Sequence, residues 1–135
     1  MVNLAIVEQN KVSYLHSIDC PHTLKLDLKV DSYQPVHCTA LDRVLPAYQD
    51  EGIIDRSLKR NKLTAYTTKT SNNPAQLISI LEQIQEEDYN LINKEYSPGV
   101  CCIAAPIFDD YDMVAALPGF SLSAARISPE ITDSI

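Results

Sequence analysis

The stretch Pro98-Gly99-Val100-Cys101-Cys102-Ile103-Ala104-Ala105-Pro106-Ile107-Phe108-Asp109-Asp110-Tyr111-Asp112-Met113-Val114-Ala115-Ala116-Leu117 decides the fold. Val100 to Phe108 carries no charge, yet it is far shorter than the roughly 20 residues of a membrane helix. It shows no helical stripe and contains a proline, so a strand buried on both faces is expected. Alternation puts Val100, Cys102, Ala104, Pro106 and Phe108 on one side, and Cys101, Ile103, Ala105 and Ile107 on the other. Both faces are apolar but small in the middle. That leaves room beside the strand, for a packed helix or for a ligand cavity. Asp109-Asp110-Tyr111-Asp112 reads as a turn, and Met113 to Leu117 returns as a second apolar strand.

Downstream, Pro118-Gly119 is expected to interrupt the return strand before Phe120-Ser121-Leu122-Ser123 alternates again. Ser128-Pro129-Glu130-Ile131 then resembles the first turn of a further helix. Upstream, Tyr89 to Asn93 reads as a strand. Before it, Asn73-Pro74 is a helix start with Asn as N-cap. Leu77, Ile80, Leu81 and Ile84 form one apolar stripe of that helix, which ends at Asp88. Leu63 to Thr68 is β-prone, and Gly52 to Lys59 reads as a short helix. His37 to Tyr48 reads as another, with Leu41, Val44, Leu45 and Tyr48 on one face and Pro46 kinking or stopping it. Leu4-Ala5-Ile6-Val7 and Val12 to Ile18 make a hairpin, and Leu24 to Val30 alternates as a third strand. Nothing alternates as βαβα, so the fold class is α+β: a mostly antiparallel sheet with helices on its faces.

At 135 residues one domain with a real core is expected. A net charge of −7 would repel a DNA duplex, so this chain would not itself hold DNA. The amino-terminal residues have no signal-peptide pattern, and no apolar run is long enough for a membrane partner; the cytoplasm is the expected compartment. Cys20, Cys38, Cys101 and Cys102 form no CxxC pair and are expected as reduced, small buried residues. Only three glycines are present, and no phosphate-binding glycine motif.

Sharper chemistry is weighed against plainer packing. His37-Cys38 would be a nucleophile–base pair only if an orienting acid and an oxyanion site stood beside it, and none is evident, so no enzyme is expected. Cys20-Pro21-His22 supplies two metal ligands where a zinc site needs about four. Asp109, Asp110 and Asp112 lack the glycine and closing Glu of a calcium loop, so a solvated turn is expected. No metal and no cofactor are therefore expected.

Gly99-Val100-Cys101-Cys102-Ile103-Ala104-Ala105-Pro106-Ile107-Phe108-Asp109, followed by Val114-Ala115-Ala116-Leu117, resembles the core signature of the isocitrate lyase regulator (IclR) family. Leu4 to Val30, Pro35 to Leu41, Leu63 to Thr67, Glu95 with Gly99, and Ala125-Arg126-Ile127-Ser128 resemble further family segments in the right order. The resemblance implies a GAF/profilin-like domain with five or six antiparallel strands and flanking helices, over residues 1–135. It implies a small carboxylate or aromatic-acid effector bound inside, and assembly as a homodimer or homotetramer. DNA would be held only through a winged helix-turn-helix domain on the amino-terminal side. By this alignment the chain begins inside the effector-binding domain and stops before its last helix ends, as a cut piece or a truncated gene product would.

A helix start presents free N–H groups and positive dipole charge to an anion, and Thr39-Ala40-Leu41 is such a start. The resemblance assigns the effector carboxylate to this place, through the amides of Ala40 and Leu41. It sets Cys102 opposite, with Ser121 and Ser123 as hydroxyls on the last strand and Leu26 and Val100 as apolar walls. The plainer reading makes Cys102 core, and Ser121 and Ser123 outward residues of an edge strand. The family often carries an acidic residue where Ile92 stands, and Gly-Lys where Asp42-Arg43 stands. Ile92 shifts the expectation toward a more apolar ligand or none, and so toward an interaction module that keeps the fold without a ligand.

Overall fold

In a computed structural model of the chain, residues 1–8, 11–19, 37–60 and 62–128 are described. Their strands are β1 (Val2–Glu8), β2 (Lys11–Ile18), β3 (Asn90–Asn93), β4 (Val100–Ala104), β5 (Ile107–Phe108) and β6 (Val114–Ser123). The helices are α1 (Ala40–Ala47), α2 (Glu51–Arg60) and α3 (Pro74–Glu87). The strands form one sheet in the order β2-β1-β6-β4-β3, with β5 also on β6. Every described pairing is antiparallel, as the α+β, GAF/profilin-like reading requires. The expected third strand, Leu24 to Val30, lies outside the described residues. So do Cys20-Pro21-His22 and the expected helix after Ser128.

β6 is the organising strand, because it pairs with β1, β4 and β5 along its ten residues. The expected break at Pro118-Gly119 is absent: both residues lie inside β6. The Pro118 carbonyl accepts from Ala105 N at 3.2 Å, where β4 has ended and β5 has not begun. A residue's N–H and C=O share one edge of a strand. The donor that Pro118 lacks therefore falls in a gap of the ladder, where it costs least.

The expectation of burial on both faces holds for only part of the opening stretch. Val100, Cys101 and Ala104 are buried, Cys102 and Ile103 are half-buried, and Ile107 and Phe108 are exposed. Leu63 to Thr68 forms no strand. Hydroxyls in it and just after it take backbone partners instead: Thr67 Oγ1 donates to Lys94 O at 2.7 Å and Thr70 Oγ1 to Glu95 O at 2.5 Å.

α1 packs against α3 and the inner face of the sheet. Leu41, Val44 and Leu45 join Leu81, Ile84, Ile92 and Leu117 in one core. The helix runs one residue past Pro46, close to the expected stop. Tyr48 then fastens its end to α3, donating to Asp88 Oδ1 at 2.7 Å and Ile84 O at 3.2 Å. In α3, Asn73 Oδ1 caps the start by accepting from Ala75 N at 2.9 Å, and Asp88 at φ 57° ends it, as its sequence predicts.

Candidate functional site

A cavity of about 50 Å³ lies between the start of α1 and the inner face of the sheet, with room for more than one water. Small residues on facing elements leave it open. Ladder register places Cys102 of β4 between Ile92 of β3 and Ser121 of β6. One step along, Gly119 of β6 stands between Ala104 of β4 and Asn3 of β1. A Cβ at Gly119 would sit 3.0 Å from Leu41 Cδ2, so the missing side chain lets α1 approach the sheet and lets Leu41 form a wall.

Five of the residues expected at the site meet there: Ala40, Leu41, Val100, Cys102 and Ser121 line the cavity. Ser123 stands opposite Val100 on the same side of β6, half-buried, but does not line it. Leu26 lies outside the described residues. Ser121 is 8% exposed on an internal strand, which removes the edge-strand reading. Sequence reasoning missed Asn3, Tyr14 and Gly119, which also line the space. The signal for Asn3 is an inversion: on β1 the buried positions are Asn3 and Ala5, while Val2 and Leu4 are exposed. Of these two, Ala5 packs into the core and Asn3 borders the cavity.

Burial controls the chemistry of the site. Cys102 Sγ lies 3.3 Å from Ser121 Oγ and donates to it. Burial nevertheless raises the Cys102 thiol above its ordinary value. Cys38 is fully buried, and burial pushes its thiol up to about 12. His37 Nε2 donates to Thr64 O at 2.8 Å. Burial thus disfavours the thiolate at both Cys38 and Cys102, the reverse of what activates a cysteine nucleophile.

Asp42, in the first turn of α1, accepts from Thr39 Oγ1 at 2.7 Å and from Tyr14 Oη at 3.4 Å. Burial pushes its carboxyl up to about 6, outweighing both bonds. Burial and this neighbouring carboxylate keep Tyr14 a protonated phenol. Thr39 and Tyr14 line the cavity, so Asp42 stands one side chain behind its wall.

On the other flank of α1, Arg43 is 1% exposed and forks onto Glu95: Nη1 to Oε1 at 3.2 Å and Nη2 to Oε2 at 2.7 Å. Nη2 also donates to the His37 carbonyl, and Ser71 N reaches Glu95 Oε2 at 3.4 Å. The acidic turn is closed by its own side chain, with Asp109 Oδ1 accepting from Tyr111 N and Met113 N at 2.8 and 3.0 Å. Among the described residues no group of three or more His, Cys, Asp or Glu is placed to hold a metal ion. No helix among them is long and apolar enough to cross a membrane.

Comparison with known proteins agrees with this architecture. The HTH-type transcriptional regulator KdgR of Escherichia coli is 28% identical over 129 residues, which cover 96% of this chain and 49% of that protein. The chain thus spans about half the length of this relative. The crystal structure of the C-terminal domain of E. coli KdgR superposes with a TM-score of 0.81 at 26% identity, covering 98% of this chain and 76% of the other. The inducer-binding domain of the PobR transcription factor from Acinetobacter, solved as a complex of a double mutant with 3-hydroxybenzoic acid, shares the fold. Its TM-score is 0.83 at 18% identity, over 98% of this chain and 78% of that one. The family model for the bacterial transcriptional regulator IclR C-terminal domain matches residues 1–135, and the chain belongs to that family.

Proposed function

We propose that residues 1–135 are the effector-sensing domain of a DNA-binding transcription regulator, and that the cavity at the start of α1 takes a small organic acid. The observation that carries this reading is the convergence of Ala40, Leu41, Val100, Cys102 and Ser121 on one internal space at a helix start. The first amides of α1 are free of intrahelical partners and meet a carboxylate favourably. Cys102 and Ser121 supply polar groups opposite, and Leu41 and Val100 supply apolar walls. The inducer-binding domain of PobR, with the same fold, supports the ligand class.

The activity is regulation and not catalysis. A ligand that binds one arrangement of paired domains better than another shifts the population, in a homodimer or a homotetramer. That shift would change the spacing of winged helix-turn-helix heads on the amino-terminal side of residues 1–135. The net charge of −7 suits a domain that stands off the DNA, in the cytoplasm.

A thermal-shift screen against pyruvate, glyoxylate, sugar acids and 3-hydroxybenzoate tests the reading. A ligand specific for the folded state adds about 2.7 kcal/mol of stability at a hundredfold excess over its dissociation constant. Cys102→Leu, which fills the cavity, abolishes the shift while the fold persists. The second reading, an interaction module without a ligand, rests on Ile92. It is 2% exposed, apolar, and part of the cavity wall. A flat screen on folded protein selects it.

A further inference from the structure

Asn3 occupies the inner face of β1, in register with Gly119 across β6. It is 3% exposed and lines the cavity. Among the described residues its buried side-chain oxygen has no hydrogen-bond partner. Buried polar groups in folded proteins are almost always paired, and an orphan carries the full desolvation cost of its group. Gly119, opposite Asn3 in the ladder, adds no side chain of its own, and Asn3, Gly119 and Leu41 line the same cavity. Across the same space, Ser121 Oγ accepts from Cys102 Sγ and still has its own proton to give.

We propose that Asn3 is a specificity-determining residue that receives a hydroxyl of the effector, so that the site takes hydroxylated small acids in preference to their unsubstituted analogues. A hydroxyl both donates and accepts, so it satisfies the carboxamide whichever of its ends faces the ligand. The carboxylate of such a ligand would lie at the start of α1, and its hydroxyl on the β1 side. An unsubstituted acid would displace water from the cavity and offer the Asn3 oxygen no partner in its place. This inference rests on the effector reading of the cavity and adds to it a chemical class and a residue on β1.

The test uses matched pairs of ligands on the chain and its variants, by calorimetric titration: 3-hydroxybenzoate against benzoate, and lactate against propionate. The unsubstituted chain binds the hydroxylated member of the accommodated pair at least ~10-fold more tightly. In Asn3→Leu, which removes an orphan and should fold, that ratio falls to about one and the unsubstituted acid keeps its affinity. Asn3→Ala serves as a second, smaller replacement with the same expectation. Binding that Cys102→Leu abolishes, but with a ratio near one in the unsubstituted chain or a ratio unchanged in both Asn3 variants, overturns the role of Asn3 and leaves the effector site standing. Binding of neither member of either pair overturns both.

Discussion

The two flanks of α1 bury polar groups in opposite ways. On the flank toward α2 and α3, Arg43 is locked onto Glu95 and the His37 carbonyl, and only its Nε lacks a partner among the described residues. The cavity beside it is about 10 Å³, scarcely one water. On the side toward the sheet, Asn3 faces about 50 Å³, its oxygen without a partner among the described residues. One flank is closed by the protein's own charges, and the other is left to be completed from outside. Paired groups in a tight site hold structure. An orphan beside open space marks a site that something else fills.

The largest expected effect comes from breaking the closed flank. Arg43→Met leaves the Glu95 carboxylate, 12% exposed, without its charge partner. Removing one member of a buried ion pair costs about 3–5 kcal/mol, because the remaining charge is stranded. The urea midpoint should fall accordingly. Adding Glu95→Gln should restore a large part of the loss, since the stranded charge goes with it. By contrast, Asn3→Leu on the open flank should not destabilise the chain. If Arg43→Met proves as mild as Asn3→Leu, the two flanks do not differ in kind.

A second effect, up to about 3 kcal/mol, is written in pH. Asp42 is held protonated to about pH 6, whereas an ordinary Asp releases its proton near 3.8. Between those values the folded chain binds more protons than the unfolded one. The stability contributed by this group is therefore full below about pH 4 and is lost as pH rises through about 6. Neighbouring groups set its environment: the Tyr14 phenol and the Cys38 thiol both stay protonated. Asp42→Asn should remove this descent from the pH–stability profile. It should also strengthen carboxylate binding at pH 7, because a negative charge behind the cavity wall is gone. An unchanged descent in Asp42→Asn would assign the proton to another group.

Much of the fold was legible because its signals are local. The stripe Leu77, Ile80, Leu81 and Ile84 and the Asn73-Pro74 start specify α3 from a few neighbouring residues. The cavity was half legible, since Cys102 and Ser121 fall on one side of alternating strands that family motifs pin in register. Asn3 was not legible from hydrophobic patterning, which turns Val2 and Leu4 inward, whereas the sheet turns them out. The reason is that α1 packs close over this face, so small Ala5 and Asn3 face inward and the larger Val2 and Leu4 face out. Arg43 and Glu95 were each visible, one as a departure and one as a motif. They are 52 residues apart, and only the fold joins them. Pro118 misled because a proline reads as a break until one knows which edge of the strand it faces.

The smallest effect separates the cavity wall from the charge behind it. Tyr14 Oη reaches Asp42 Oδ2 at 3.4 Å, a long bond, and Thr39 holds the same oxygen at 2.7 Å. Tyr14→Phe keeps the ring in the wall and removes only the hydroxyl, so stability should fall by about 1 kcal/mol or less at pH 7. The bond from Tyr14 is one of those holding the Asp42 carboxyl down against burial. Its loss should move the Asp42 titration upward, which carbon-detected resonance of the carboxyl group against pH would follow. The pH–stability descent would then extend to higher pH, the reverse of its disappearance in Asp42→Asn. A downward move would mean that the hydroxyl desolvates the carboxylate more than it bonds it, and that Tyr14 belongs to the wall alone.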